Sequence, residues 1–83
     1  MTVRLHPHAA TRIRERGATL AEVKATVAAG ERFAARFGRI GFRRNFNFGG
    51  SWRGKRYHTK QIEAFAVEEE GDWLVITVLV KYF

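Results

Sequence analysis

His8, Arg12 and Arg16 recur at i, i+4 and i+8, the spacing that lines residues along one face of a helix. An imidazole beside two fixed cations is what chemistry at a phosphodiester needs. The imidazole titrates near neutrality, and the cations stabilise the charge that develops on the phosphoryl oxygens. Spacing alone favours a plainer alternative, a solvated helix face on which Arg12 pairs with Glu15 and His8 helps to cap the first turn. A second set lies in RIGFRRNFNFGGSWRGKRYHTK, residues 39–60, which contains no carboxylate. There Arg43, Arg53, Lys55, Arg56 and Lys60 are candidate phosphate contacts, with Tyr57 and His58 as candidate acid–base groups. Strand packing is the simpler role for the rings of Trp52 and Tyr57.

The distribution of charge supports the second set. Fifteen Lys and Arg oppose eight Asp and Glu, a formal net charge of +7. From Arg32 to Ile62 there are nine basic residues and no acid, whereas the rest of the chain has six basic residues against eight acids. Excess charge gathered in one block is the electrostatic footprint of a polyanion binder. There is no cysteine, which excludes disulfides and thiolate metal sites and suits a reducing compartment. No apolar run has the length of a signal peptide or a membrane span. These features predict a cytoplasmic protein without a membrane segment.

The elements that must position these residues read as follows. HPHAATRIRERG (6–17) predicts a helix opened by Pro7 and stopped by Gly17. TLAEVKATVAAG (19–30) predicts a second helix. Thr19 and Glu22 form its capping box, Leu20, Val23 and Val27 share one face, and Gly30 stops it. The remainder is β: ERFAARF (31–37) as a first strand, then RIGFRRNFNF. In that second run Ile40, Phe42, Arg44, Phe46 and Phe48 point one way and Gly41, Arg43, Asn45 and Asn47 the other. Gly49-Gly50-Ser51 is expected to turn, SWRGKRYHTK to form a twisted strand bulged at Gly54, and KQIEAFAV to lead to a turn around Gly71-Asp72. WLVITVLVKYF, apolar on both faces, is expected deep in the sheet. Eighty-three residues make one domain. The predicted architecture is α+β: two N-terminal helices packed on a curved antiparallel sheet of four to five strands. The helix pair can cover only one sheet face, so a second copy or a bound partner is expected on the other unless the sheet curls over it.

Three further signals are discounted. His6, His8 and His58 imitate a three-His zinc site, but the third ligand is about fifty residues away and no metal or other cofactor is expected. Glu68, Glu69 and Glu70 read as a solvated hairpin end. GGSWRG does not follow the strand-to-helix pattern of a phosphate-binding loop.

HAATRIRERGATLAEV resembles the His-Ala-x-x-Arg-x-x-x-Arg-Gly-(Ile/Ala)-(Ser/Thr)-x-x-Glu-Val opening of a family of short bacterial domains of unknown function. That family is similar to the RelE/ParE-type toxins of toxin–antitoxin pairs. GERFAARFGRIGFRRNF and KQIEAFAVEEEGDWLVITVLVKYF extend the resemblance over nearly the whole chain, with Ala18 standing where the family usually has a larger aliphatic residue. His8, Arg12, Arg16 and Gly17 occupy its signature positions. The resemblance implies a RelE-like fold, and with it metal-free cleavage of RNA, since many such toxins cut mRNA and others act on DNA gyrase. Such cleavage needs a group to activate a ribose 2′-OH, cations around the phosphate and an acid for the leaving 5′-oxygen. It also implies an acidic antitoxin-like partner. The rival expectations are a nucleic-acid-binding module without chemistry and an interaction protein whose basic groove holds an acidic protein segment.

Overall fold

The computed structural model describes residues 2–83. Its elements run β1 (Val3–Leu5), α1 (Pro7–Glu15), α2 (Leu20–Ala29), β2 (Glu31–Ala34), a 3₁₀ turn (Arg36–Gly38), β3 (Ile40–Trp52), β4 (Lys55–Glu69) and β5 (Asp72–Tyr82). They form an α+β fold with one five-stranded sheet in the order β1-β5-β4-β3-β2. No helix among the described residues is long and apolar enough to cross a membrane.

The helices begin and end where local chemistry dictates. His6 caps α1 by accepting the His8 N–H on Nδ1 at 3.1 Å, ahead of Pro7. The first-turn cap is therefore His6, not His8. α2 opens with the full capping box: Glu22 N–H donates to Thr19 Oγ1 at 3.1 Å, and Thr19 N–H donates to Glu22 Oε1 at 2.9 Å. Its buried face is Val23, Thr26 and Val27. Leu20, expected on that face, is 45% exposed at the first turn. Thr26 takes the place in the core because its hydroxyl donates to the Glu22 carbonyl at 2.8 Å, which satisfies it without water.

The core lies between the helix pair and one sheet face. Ala9 and Ile13 of α1 join Val23 and Val27 of α2 against Phe42, Ile62, Ala64, Ala66, Trp73, Val75 and Val78. The alternation in β3 and β4 places those sheet residues together, since Phe42 pairs with Ala64 and Ala64 with Val78. Arg44 shares this apolar face by reaching its edge, where its guanidinium donates to the Ala25 carbonyl at 3.3 Å.

Four expectations need correction. The sheet is mixed rather than antiparallel: β1 precedes the helices and pairs in parallel with β5, Val3 opposite Trp73 and Leu5 opposite Val75. A three-residue strand is too short to show periodicity, and its place comes from the far end of the chain. The strand expected over 31–37 stops at Ala34, because Phe37 takes a left-handed conformation at φ 61 and ψ 34. Gly49-Gly50-Ser51 is no turn; β3 passes through it to Trp52, with a register shift between Asn47 and Gly50. The chain reverses instead at Arg53-Gly54, both with positive φ. Finally, the middle strand is β4, with β5 next to it and shielded at its outer edge only by β1.

Gly17 turns the chain between the helices at φ +76, and a Cβ there would lie 2.5 Å from the Trp52 ring and 2.6 Å from the Tyr82 hydroxyl. Gly17→Ala therefore combines left-handed strain with displacement of two rings. It is expected to cost about 1–3 kcal/mol, read as a lowered urea midpoint at unchanged slope.

Candidate nucleic-acid interface

The basic residues singled out by type and spacing separate into two populations. The first is engaged within the fold. Arg16 lies beyond the last turn of α1, where its guanidinium donates to the Val78 carbonyl at 2.6 Å and its own carbonyl accepts from the Tyr82 hydroxyl at 2.8 Å. Lys60 is 5% exposed; its ammonium donates to the Gly17 carbonyl and to Glu22 Oε1, the latter at 2.9 Å. Arg43 lies on the sheet face away from the helices, where it donates twice to Glu63, at 2.7 and 3.1 Å, and once to Glu31, at 3.1 Å. The hydrogen bond to Glu63, then the charges of Glu63 and Glu31, hold the Arg43 guanidinium above its ordinary pKa.

Arg12 pairs with Glu15 at 3.0 Å, but both side chains are substantially exposed. The i, i+4, i+8 ridge is thus broken: Arg12 faces water while Arg16, where the helix ends, turns to the sheet. His8 is exposed beside the His6–Val75 junction, where His6 N–H donates to the Val75 carbonyl. Tyr57 and His58 lie at the other end of β5, next to Thr59, which exchanges two backbone hydrogen bonds with Phe83. Eight residues of strand, roughly 25 Å, separate these ends. The structure does not bring His8 to His58. Among the described residues, no three His, Cys, Asp or Glu side chains are placed to hold a metal ion.

The second population is free. Arg53, Lys55, Arg56 and His58 are exposed on the β3–β4 hairpin, and none of them has a carboxylate within 4.0 Å among the described residues. Arg56 makes one bond, to the Gly49 carbonyl at 3.2 Å. Beneath them is an aromatic cluster centred on Tyr82, a residue with no signal in the sequence beyond its place at the end of an apolar strand. Trp52 stacks on Tyr82 with centroids 5.0 Å apart and planes 15° apart, Phe48 meets it edge-on at 5.1 Å, and Tyr57 lies at 5.6 Å. Arg53 lies 5.3 Å from the Trp52 ring and the Lys55 ammonium 5.6 Å from that of Tyr57. Burial first, then the Glu22 carboxylate, push the Tyr82 phenol above its ordinary pKa against the opposing pull of Arg53. It stays protonated and donates to the Arg16 carbonyl.

Comparison with protein-family models, with curated proteins and with solved structures finds no match to this chain.

Two measurements check these assignments. Arg12→Ala removes an exposed pair and is expected to change stability by no more than about 0.5 kcal/mol, whereas Arg16→Ala leaves Val78 without its partner and is expected to cost about 1–3 kcal/mol. Glu22 supplies a pH signature. Burial pushes its carboxyl up, but the hydrogen bond from Lys60, those from Thr19 and the Lys60 charge outweigh burial and leave it below the ordinary 4.5. A depressed folded-state value means that the stabilisation is complete above about 4.5 and is lost as pH falls through the lower folded value. The stability gap between the parent and Glu22→Gln should be widest near neutrality and narrow on acidification. A gap constant with pH would rule this account out.

Proposed function

We propose that this chain is a RelE-like, RNA-binding protein that holds single-stranded RNA on the β3–β4 hairpin. The observation that carries this reading is the group of cations at Arg53, Lys55 and Arg56, free of carboxylates, set over the rings of Trp52 and Tyr57. Phosphate-tracking cations beside aromatic faces are the recurrent means of holding single strands, because every base has a π-face and every nucleotide a charge. Lys60 and Arg16 support the platform without touching the polyanion, and Arg43 is held by Glu63. A cytoplasmic location and an acidic antitoxin-like protein that competes for the same cations belong to this reading.

Metal-independent endoribonuclease action, which the RelE/ParE resemblance implies, is the second reading. It is favoured by one feature: His58 is exposed two residues from Arg56, on the same face of β4 by strand alternation, so an imidazole accompanies that cation. His8, at the Val75 end of β5, is too far along the sheet to join them.

Binding of a short oligoribonucleotide should weaken steeply with salt, with a log–log slope of about −0.7 per phosphate contact. Replacing Arg53, Lys55 and Arg56 together by Gln should make the slope shallower by about 2 while leaving the melting midpoint nearly unchanged. An affinity indifferent to salt, or a slope unmoved by the triple substitution, sinks the RNA reading. Cleavage of the RNA in excess chelator, lost in His58→Ala with binding retained, establishes the enzymatic version; uncleaved RNA leaves a binding module.

A further inference from the structure

At the opposite end of β3 from the basic hairpin, a cavity of about 380 Å³ opens on the sheet face that the helices leave uncovered. Its lining is Phe33, Phe65 and Thr77 from the sheet with Ala35, Phe37, Arg36 and Arg39 from the 3₁₀ turn and its flanks. Phe33 and Phe65 meet edge-to-face with centroids 6.0 Å apart. The Phe33 ring lies directly over Gly41, where a Cβ would come within 2.4 Å of it, so glycine is what lets this ring lie down against the sheet. Arg36 and Arg39, one residue before and two after Phe37 in the chain, both line the cavity, and neither has a carboxylate within 4.0 Å among the described residues. Both lie in the acid-free block, yet the full length of β3, about 40 Å of strand, separates them from Arg53.

Phe37 is the unusual residue. It holds a left-handed conformation, φ 61 and ψ 34, and is 86% exposed. A bulky side chain gains nothing from that backbone, and in water this ring gains nothing from burial either. The Arg39 guanidinium lies 5.8 Å from its centroid. An exposed, conformationally costly ring at the mouth of an aromatic cavity is explained when a ligand buries it.

We infer that this cavity binds a small aromatic carboxylate, its ring system against Phe33, Phe65 and Phe37 and its carboxylate between Arg36 and Arg39. The volume falls within the range of pockets for small organic ligands, which combine a mostly apolar lining with a few polar groups that fix orientation. Two guanidinium groups match a carboxylate in charge and in fork geometry. Thr77 lines the same cavity. This site is independent of the RNA reading and makes no use of the hairpin.

Naphthoate is the probe, with naphthalenemethanol as its neutral counterpart, each titrated into the full chain and followed by amide-resolved NMR. Naphthoate should give saturable shifts confined to residues 33–39, 65 and 77, and the alcohol should bind at least about tenfold more weakly. The double variant Arg36→Gln, Arg39→Gln should abolish that preference without lowering the melting midpoint. Phe37→Gly should raise the midpoint, by removing left-handed strain, and weaken naphthoate binding. Unsaturable shifts, equal affinity for the two probes or full affinity in Phe37→Gly overturns the assignment. Displacement of naphthoate by a short oligoribonucleotide overturns it too, since the cavity would then be a base-stacking subsite.

Discussion

The buried ammonium of Lys60 links elements that would otherwise have no fixed relation. It projects from the central strand to the Gly17 carbonyl, beyond the end of α1, and to Glu22, in the first turn of α2. Glu22 is also the carboxylate of the α2 capping box, so one side chain both starts a helix and fastens it to the sheet. Desolvating a cation is costly, and an ion pair inside a protein adds little net stability over an apolar substitute. Its value here lies in direction. Apolar contacts alone would let the helix pair slide over Ile62, Ala64 and Val78, whereas one ammonium donating to two fixed acceptors sets the register. The Trp52–Tyr82 stack then closes over Gly17, so the geometry of the hairpin depends on the same contact.

The uncovered sheet face follows a different rule. Glu63, 5% exposed, is buried there without any helix above it, beneath Arg43 on one side and Lys81, 3.6 Å away, on the other. Cations with long aliphatic stems cover this face in place of apolar groups, and Arg43 also lies 4.6 Å over the Phe33 ring. Leu79 remains 39% exposed, so the sheet does not curl far enough to enclose the face. The charge of +7 is therefore not one patch. Arg43 and Lys81 answer Glu63, Arg16 and Lys60 hold the helices, and the carboxylate-free cations that remain include two separate groups, Arg53, Lys55 and Arg56 on the hairpin and Arg36 and Arg39 at the 3₁₀ turn.

Features written in consecutive residues were legible in the sequence. The Thr19–Glu22 capping box, the Gly17 stop and the alternation of β3 all appear as read, because each depends on neighbours within a few positions. Long-range features were not. β1 is strand only because β5 lies beside it, and residue type gives no hint that Lys60 is buried while Arg53, Lys55 and Arg56 stay in water. The helical ridge of His8, Arg12 and Arg16 failed at one point: Arg16 is the C-cap of α1, and its guanidinium is taken by the Val78 carbonyl of the sheet, a long-range partner that helical spacing does not announce. Phe37 was hidden for a similar reason, since nothing in its identity announces a left-handed backbone.

The length of the sheet gives the two exposed sites different physical characters. β3 and β4 are far longer than a typical strand, and their hairpin end meets Gly17, between the helices, through Trp52. The hairpin is held there by stacked rings and by the register shift at Asn47–Gly50, which increases the local twist. A platform built this way presents cations on a stiff arm that one strand of RNA can follow. The cavity at the other end is walled by a short edge strand and a single 3₁₀ turn, which suits a small ligand better than a polymer. With no side-chain partner in common and most of the sheet between them, substitutions at the two ends should act additively on stability. Coupling would have to pass through the Lys60–Glu22 attachment or the Glu63 cluster, the only polar groups buried between them on β4.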